Sequence, residues 1–181
     1  MKRKGIGGHQ RGHDGESVTW LTPPGIVEKL GAFDLDPCCP PVMPWRTASI
    51  MCHEDKADGL EIVWKGRVWL NPPYGPRTGV WLEKLARHGN GIAIIFARTE
   101  TEMFHEHCWG RADAMLFLRG RLHFHRVDGV RAKANAGAPS VLVAFGENNA
   151  AALAESGIPG ALWVRGHGVK ANDAMGVARA N

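Results

Sequence analysis

Apolar residues recur along the chain in two rhythms. Short unbroken runs occur at AFDLDP (32–37), ASIMC (48–52), RVWL (67–70), GIAIIFA (91–97), DAMLFL (113–118) and SVLVAF (140–145). GIAIIFA has no polar position, as expected for a parallel strand covered on both faces. Between these runs the spacing turns helical. TPPGIVEKLG (22–31) places Ile26, Val27 and Leu30 on one stripe, with Thr22 as expected N-cap, Pro23 at the first helical position and Gly31 as the stop. TGVWLEKLARHG (78–89) puts Trp81, Leu82, Leu85 and Ala86 on one face. TETEMFHEHCWG (99–110) opens on Thr99 with Glu102 three residues later, the pattern of a capping box.

Strands alternating with helices predict an α/β fold with a mostly parallel sheet. The two late strands have no helix between them, which predicts an antiparallel edge. The segment that joins them, GRLHFHRVDGVRAKANAGAP (120–139), reads as one short strand and a polar loop. Residues 1–17, rich in Gly, His and basic side chains, read as a flexible basic arm. Residues 18–150 form the expected domain. Residues 151–181 read as an Ala/Gly-rich tail, with a short helix at AALAESG and then a loosely held end.

Composition adds little to this outline but narrows the class. A chain of 181 residues, 44% of them hydrophobic, is long enough for one well-buried core. The net charge of +4 favours an anionic partner, nucleic acid first. No run is long enough to span a membrane, and the basic N-terminal segment lacks the apolar stretch of a secretory signal. Cys38 and Cys39 are adjacent, a poor basis for a disulfide framework, so a reducing cytoplasm is expected. Cys38, Cys39, Cys52 and His53 lack the spaced pairs of a structural zinc site, so no metal is expected.

The chemistry concentrates in RVWLNPPYG (67–75). A strand ends there in an amide, two prolines and an aromatic ring. In an open α/β sheet, ligands sit beyond the carboxyl ends of the strands. The exocyclic amine of a nucleobase is a poor nucleophile, because its lone pair is delocalised into the ring. Two acceptors gripping its N–H bonds favour a more tetrahedral nitrogen and stabilise the positive charge that develops on attack. The Asn71 side chain and the Pro72 carbonyl can be those acceptors. Pro72 and Pro73 stiffen the loop, and Tyr74 offers a face for stacking. An Asn-Pro turn that merely caps a strand is the plain alternative.

NPPYG resembles the catalytic loop of S-adenosylmethionine-dependent amino-methyltransferases. WLTPPGIVEKLGAFDLDPCCP, ADGLEIVWKGRVWLNPPYG, IIFARTETEMFHEHCW, FLRGRLHF and APSVLVAF resemble, in that order, the phage-type DNA N-6-adenine methyltransferases. The resemblance covers residues from about 20 to 145. It implies a Rossmann-like methyltransferase fold and direct in-line methyl transfer to adenine N6 of a flipped base in DNA. It also implies a phage- or prophage-encoded protein at work in the host cytoplasm. LDPCC stands where other methyltransferases carry a glycine-rich cofactor loop, so that loop is reduced here.

Residue roles follow from this resemblance and from strand ends. Trp20, Thr22 and Pro23 resemble the family's N-terminal cofactor-binding block. Asp36, taken as the end of its strand, is the choice for the cofactor ammonium, with Pro37 and Cys38 in the same turn; a turn-forming role is its alternative. Asp58 matches the position that meets the cofactor's adenine amine, and equally reads as a turn residue. Glu54 or Asp55 suits the ribose hydroxyls. For DNA, Arg98 and Thr99 follow a strand end, and Arg119, Arg121, Arg126, Arg131 and Lys133 surround the long polar loop. Methylation of RNA adenine or protein glutamine keeps the same chemistry. A nucleic-acid-binding module without catalysis is the third reading.

Overall fold

The computed structural model describes residues 19–53 and 57–172. They form a single eight-stranded sheet with helices or packed loops on both faces. The strands are β1 (Leu35–Cys39), β2 (Ile50–His53), β3 (Val68–Leu70), β4 (Gly91–Phe96), β5 (Ala114–Leu118), β6 (Ser140–Phe145), β7 (Gly160–Val164) and β8 (Gly168–Asn172). Their spatial order is β2-β1-β3-β4-β6-β5-β7-β8. β2, β1, β3 and β4 run parallel, whereas every pairing from β4–β6 to β7–β8 is antiparallel. The fold is therefore α/β as expected, but the sheet is parallel at one end only.

The helices are α1 (Pro24–Glu28), α2 (Thr78–His88) and α3 (Glu147–Glu155), with a π-helix at Phe104–Trp109. α1 and α3 cover one face: Val27, Leu30 and Leu153 pack with Trp69, Ile92, Ile94, Leu116 and Leu142. α2 and the π-helix cover the other, where Leu82, Leu85 and Phe104 meet Val68, Leu70, Ala93, Ile95 and Met115. Successive strand side chains point to opposite faces, so β4 sends Ile92 and Ile94 to one core and Ala93 and Ile95 to the other. That two-sided burial is why GIAIIF has no polar position. Leu82 and Leu85 are fully buried, and truncating either to Ala would cost about 2–5 kcal/mol. α2 ends at Gly89, whose φ of 72° is the left-handed cap that glycine adopts without strain.

Several sequence expectations need correction. Thr22 does not cap α1. Pro23 occupies the cap and Pro24 the first turn, since Pro at either place forgoes no helical bond. Thr101, not Thr99, turns the chain into the π-helix: its hydroxyl bonds the Arg98 carbonyl at 2.8 Å and takes the Phe104 N–H at 3.4 Å. β1 runs three residues beyond Asp36, because Pro37 is absorbed at a register shift between Asp36 and Cys39. Segment 120–139 is an irregular hairpin. His125 bridges Arg131, and the Phe124 and Leu122 carbonyls accept the Ala132 and Ala136 N–H groups. Residues 151–172 complete α3 and add β7 and β8 to the sheet. Their small side chains look tail-like, but backbone pairing does not need large ones. The basic arm, 1–17, and residues 173–181 lie outside the described residues.

Candidate active site at the carboxyl ends of β1 and β3

The chain leaves β1 toward β2 on one side and later returns to β3 on the other. The order therefore reverses between β1 and β3, which is where open α/β sheets place their ligands. The carboxyl ends meeting there are Cys38–Cys39 and Asn71–Pro72. They touch: the Cys38 thiol donates to the Asn71 carbonyl at 3.3 Å.

The Asn71 amide is held in one orientation. Its Nδ2 donates to the Trp20 carbonyl at 2.8 Å, and only the nitrogen end can do so. Oδ1 is consequently the end left over, buried and without a hydrogen-bond partner. The Pro72 carbonyl likewise accepts nothing from the described residues. The loop is fixed from behind by Thr78 at the start of α2. Its hydroxyl donates to the Pro73 carbonyl at 2.8 Å and accepts the Gly75 N–H at 3.1 Å. Two acceptors on a rigid loop thus lack donors, as a site for an amine requires.

Tyr74 is placed differently from a free stacking platform. Phe96, the last residue of β4, stacks on it at 4.2 Å and 23°, and Phe124 meets it edge to face at 6.2 Å. Its hydroxyl is buried without a partner, and burial pushes the phenol well above its ordinary range. Trp20, Phe96 and Phe124, with Ala132, Ala134, Asn135 and Ala136, line an open recess of about 310 Å³ of empty space, its mouth included.

Residues 20–22 tie these parts together. Leu21 exchanges both backbone bonds with His125, at 2.8 and 2.9 Å, which hangs the hairpin beside the NPPY loop. Trp45, from the β1–β2 connection, meets His125 edge to face at 5.3 Å. Burial, then Arg131, lower the His125 pKa. Among the described residues, Thr22, Trp45, Asn71, Tyr74 and His125 of this one group each bury a polar side-chain atom with no partner. Buried polar atoms are normally paired, so such a concentration marks a place where a ligand or water completes the bonding.

The acids are arranged less directly. Asp36 lies mid-strand and only 3% exposed. One oxygen takes the Thr47 hydroxyl and the other the Cys38 N–H at 3.2 Å. Burial lifts its pKa to about 6 against the lowering effect of those bonds. Both oxygens are thus engaged, and the carboxyl shapes the end of β1 from beneath. Asp58 is exposed in an Asx turn. It accepts the Leu60 N–H at 2.9 Å, the main cause of its lowered pKa, and faces Arg77 at 3.4 Å. Lys84 of α2 clamps this segment by donating to the Leu60 and Ile62 carbonyls. Gly59 lies so close to β1 that a Cβ there would fall 1.7 Å from the Pro37 carbonyl oxygen. Glu54 and Asp55 lie outside the described residues.

Of the basic side chains, Arg98 and Thr99 are exposed just beyond β4, beside the NPPY strand as expected. Arg121 donates to the Ala136 carbonyl at 3.1 Å, and Arg126 pairs with Asp128 at 2.8 Å. Arg119 is exposed and has a partner of its own. Arg131 and Lys133 are exposed on the returning limb of the hairpin. Cys38, Cys39, Cys52 and Cys108 form no disulfide, and no group of three or more His, Cys, Asp or Glu among the described residues is arranged to hold a metal. No helix among them is long and apolar enough to cross a membrane.

Sequence reading missed Phe96, Phe124, Trp45, Thr47, His125 and Asn135. The alternation LHFH around Phe124 was the one available signal; the others acquire a role only through packing. No family model, curated protein or solved structure matches the chain.

Proposed function

We propose that this protein is a DNA methyltransferase acting on adenine N6, with S-adenosylmethionine as methyl donor. The observation that carries the reading is the buried, partnerless Oδ1 of Asn71, left over because the Trp20 carbonyl takes the other end of the amide. A preset acceptor of this kind costs no reorganisation when charge develops on the nitrogen. With the Pro72 carbonyl it would hold both N–H bonds of an amine and turn the lone pair out of conjugation. NPPY in this state binds and orients the nucleophile, and no thiol is required as a nucleophile.

When bound, S-adenosylmethionine supplies a methyl group on a positively charged sulfur. The crevice fits such a cation. The orphan Thr22 hydroxyl lies on the segment that crosses it, and the ionised form of buried Asp36 adds negative charge below the β1 end. Trp20, Thr22, Pro23, Pro37, Cys38 and Asp58 are the residues that would hold it. The finer fold assignment, a Rossmann-like methyltransferase fold without a glycine-rich loop, is supported by the β1–β3 reversal and by the antiparallel entry of β6 beside β4. Arg98, Arg131 and Lys133 favour a polyanion over a protein amide as the substrate. Titration with S-adenosylmethionine, followed by labelled methyl transfer to duplex DNA, RNA and protein, tests the reading. N6-methyladenine in DNA is the expected product; cofactor uptake without transfer to any DNA would overturn it.

A further inference from the structure

The recess beside NPPY combines aromatic walls with one hydrogen-bonding side chain. Its aromatic walls are Trp20, Phe96 and Phe124. Three alanines, Ala132, Ala134 and Ala136, add only small side chains to its lining. Asn135 is the one carboxamide among the lining residues.

The hairpin backbone explains why this limb is available. Ala132 is anchored through its N–H to the Phe124 carbonyl at 2.8 Å, and Ala136 to the Leu122 carbonyl at 2.7 Å. Between these anchors, Lys133, Ala134 and Asn135 make no hydrogen bond with any described residue. Three consecutive residues therefore present free N–H and C=O groups, a carboxamide and an ammonium along the rim of an aromatic recess. Tyr74 cannot supply the stacking on its Phe96 side, because at 4.2 Å no third ring fits between the two.

We propose that the target adenine enters this recess against Phe124 and Trp20, and that Asn135 is the side chain that reads its edge. A carboxamide suits adenine: with both N6 hydrogens held by Asn71 and Pro72, the Asn135 Nδ2 can still donate to a ring nitrogen of the base. Trp20 links the recess to the NPPY loop, since it lines the one and its carbonyl holds the Asn71 amide of the other. Lys133, next but one to Asn135, would meet the flanking phosphate. This inference rests on the proposed methyltransferase function and adds a specificity-determining residue to it.

The test uses Asn135→Ala and Asn135→Gln in the full chain. Three readouts apply: affinity for S-adenosylmethionine, KM and kcat for duplex DNA, and fluorescence of an oligonucleotide carrying 2-aminopurine at the methylated position. Asn135 is exposed and unbonded, so the variants should fold as the parent does. Asn135→Ala should raise KM roughly ten- to a hundredfold, weaken capture of 2-aminopurine, and leave cofactor affinity unchanged. Asn135→Gln should recover part of the loss. Unchanged KM and base preference in Asn135→Ala would overturn the proposal. So would weakened cofactor affinity with intact base capture, which would make the recess the seat of the cofactor's own adenine. If the parent neither binds S-adenosylmethionine nor methylates DNA, the functional reading itself fails, a result separate from both.

Discussion

The Trp20 carbonyl lies 2.8 Å from the Asn71 side-chain nitrogen, and this single bond decides which end of the amide is left without a partner. It joins the first described turn of the chain to the loop after β3. Replacing Asn71 by Ala removes one of two acceptors and should lower turnover about a hundredfold or more, with cofactor affinity nearly unchanged. Asn71→Asp should be equally inactive, because a carboxylate cannot donate to the Trp20 carbonyl. Parallel measurement of kcat and of cofactor binding checks both, and near-normal turnover in either variant removes Asn71 from its role.

Tyr74 gives a prediction with the opposite sign for stability. Its hydroxyl is buried without a partner, so Tyr74→Phe should melt at the same temperature or higher, by up to about 1 kcal/mol. Tyr74→Ala should be destabilised by about 3–5 kcal/mol, since it loses ring contacts with Phe96 and Phe124. Denaturant titration of the two variants separates the ring from the hydroxyl. A clear loss in Tyr74→Phe would mean that the oxygen has a partner.

Asp36 sets a pH dependence. Its folded pKa of about 6 lies above the ordinary 3.8, so the folded protein keeps a proton that the unfolded chain releases. The contribution to stability is complete below about pH 4. It is lost as the pH rises through about 6, by roughly 3 kcal/mol. Asp36→Asn can still accept the Cys38 N–H and bond Thr47, but has no charge to bury. Unfolding free energies measured from pH 4 to 7 should therefore fall more in the parent than in the variant. Matching slopes would place the Asp36 pKa at its ordinary value.

The basic residues divide by their bonding. Arg126 is committed to Asp128 and Arg121 to the Ala136 carbonyl, whereas Arg98, Arg131 and Lys133 make no ion pair with a described residue. If the latter three contact DNA phosphates, replacing each by Ala should reduce the log–log salt slope of duplex binding by about 0.9. Arg121→Ala should act mainly by loosening the hairpin. Binding isotherms at several salt concentrations, with thermal melts of the same variants, distinguish the two effects.

The sequence by itself determined the parts whose physics is local. Unbroken apolar runs such as GIAIIF, short and rich in β-branched residues, read as strands covered on both faces. The Trp81–Leu82–Leu85 stripe with Gly89 beyond it can only be an amphipathic helix. NPPY was legible for the same reason: prolines, amide and ring are consecutive, and the stiffness they confer needs no neighbour. Tertiary structure decided what depends on distant contacts. Asp36 looks like a strand-end acid until β1 runs on through Pro37 and Thr47 closes over its oxygen. The small residues after 150 look like a loose tail until β5 offers β7 a free edge, a bond made by backbone that leaves no mark on side chains. The orientation of Asn71 and the recess beside it come from Trp20 and from residues 122–136, far apart along the chain. Only folding brings an amide nitrogen 51 residues from its carbonyl partner within bonding distance, and so leaves the amide oxygen free.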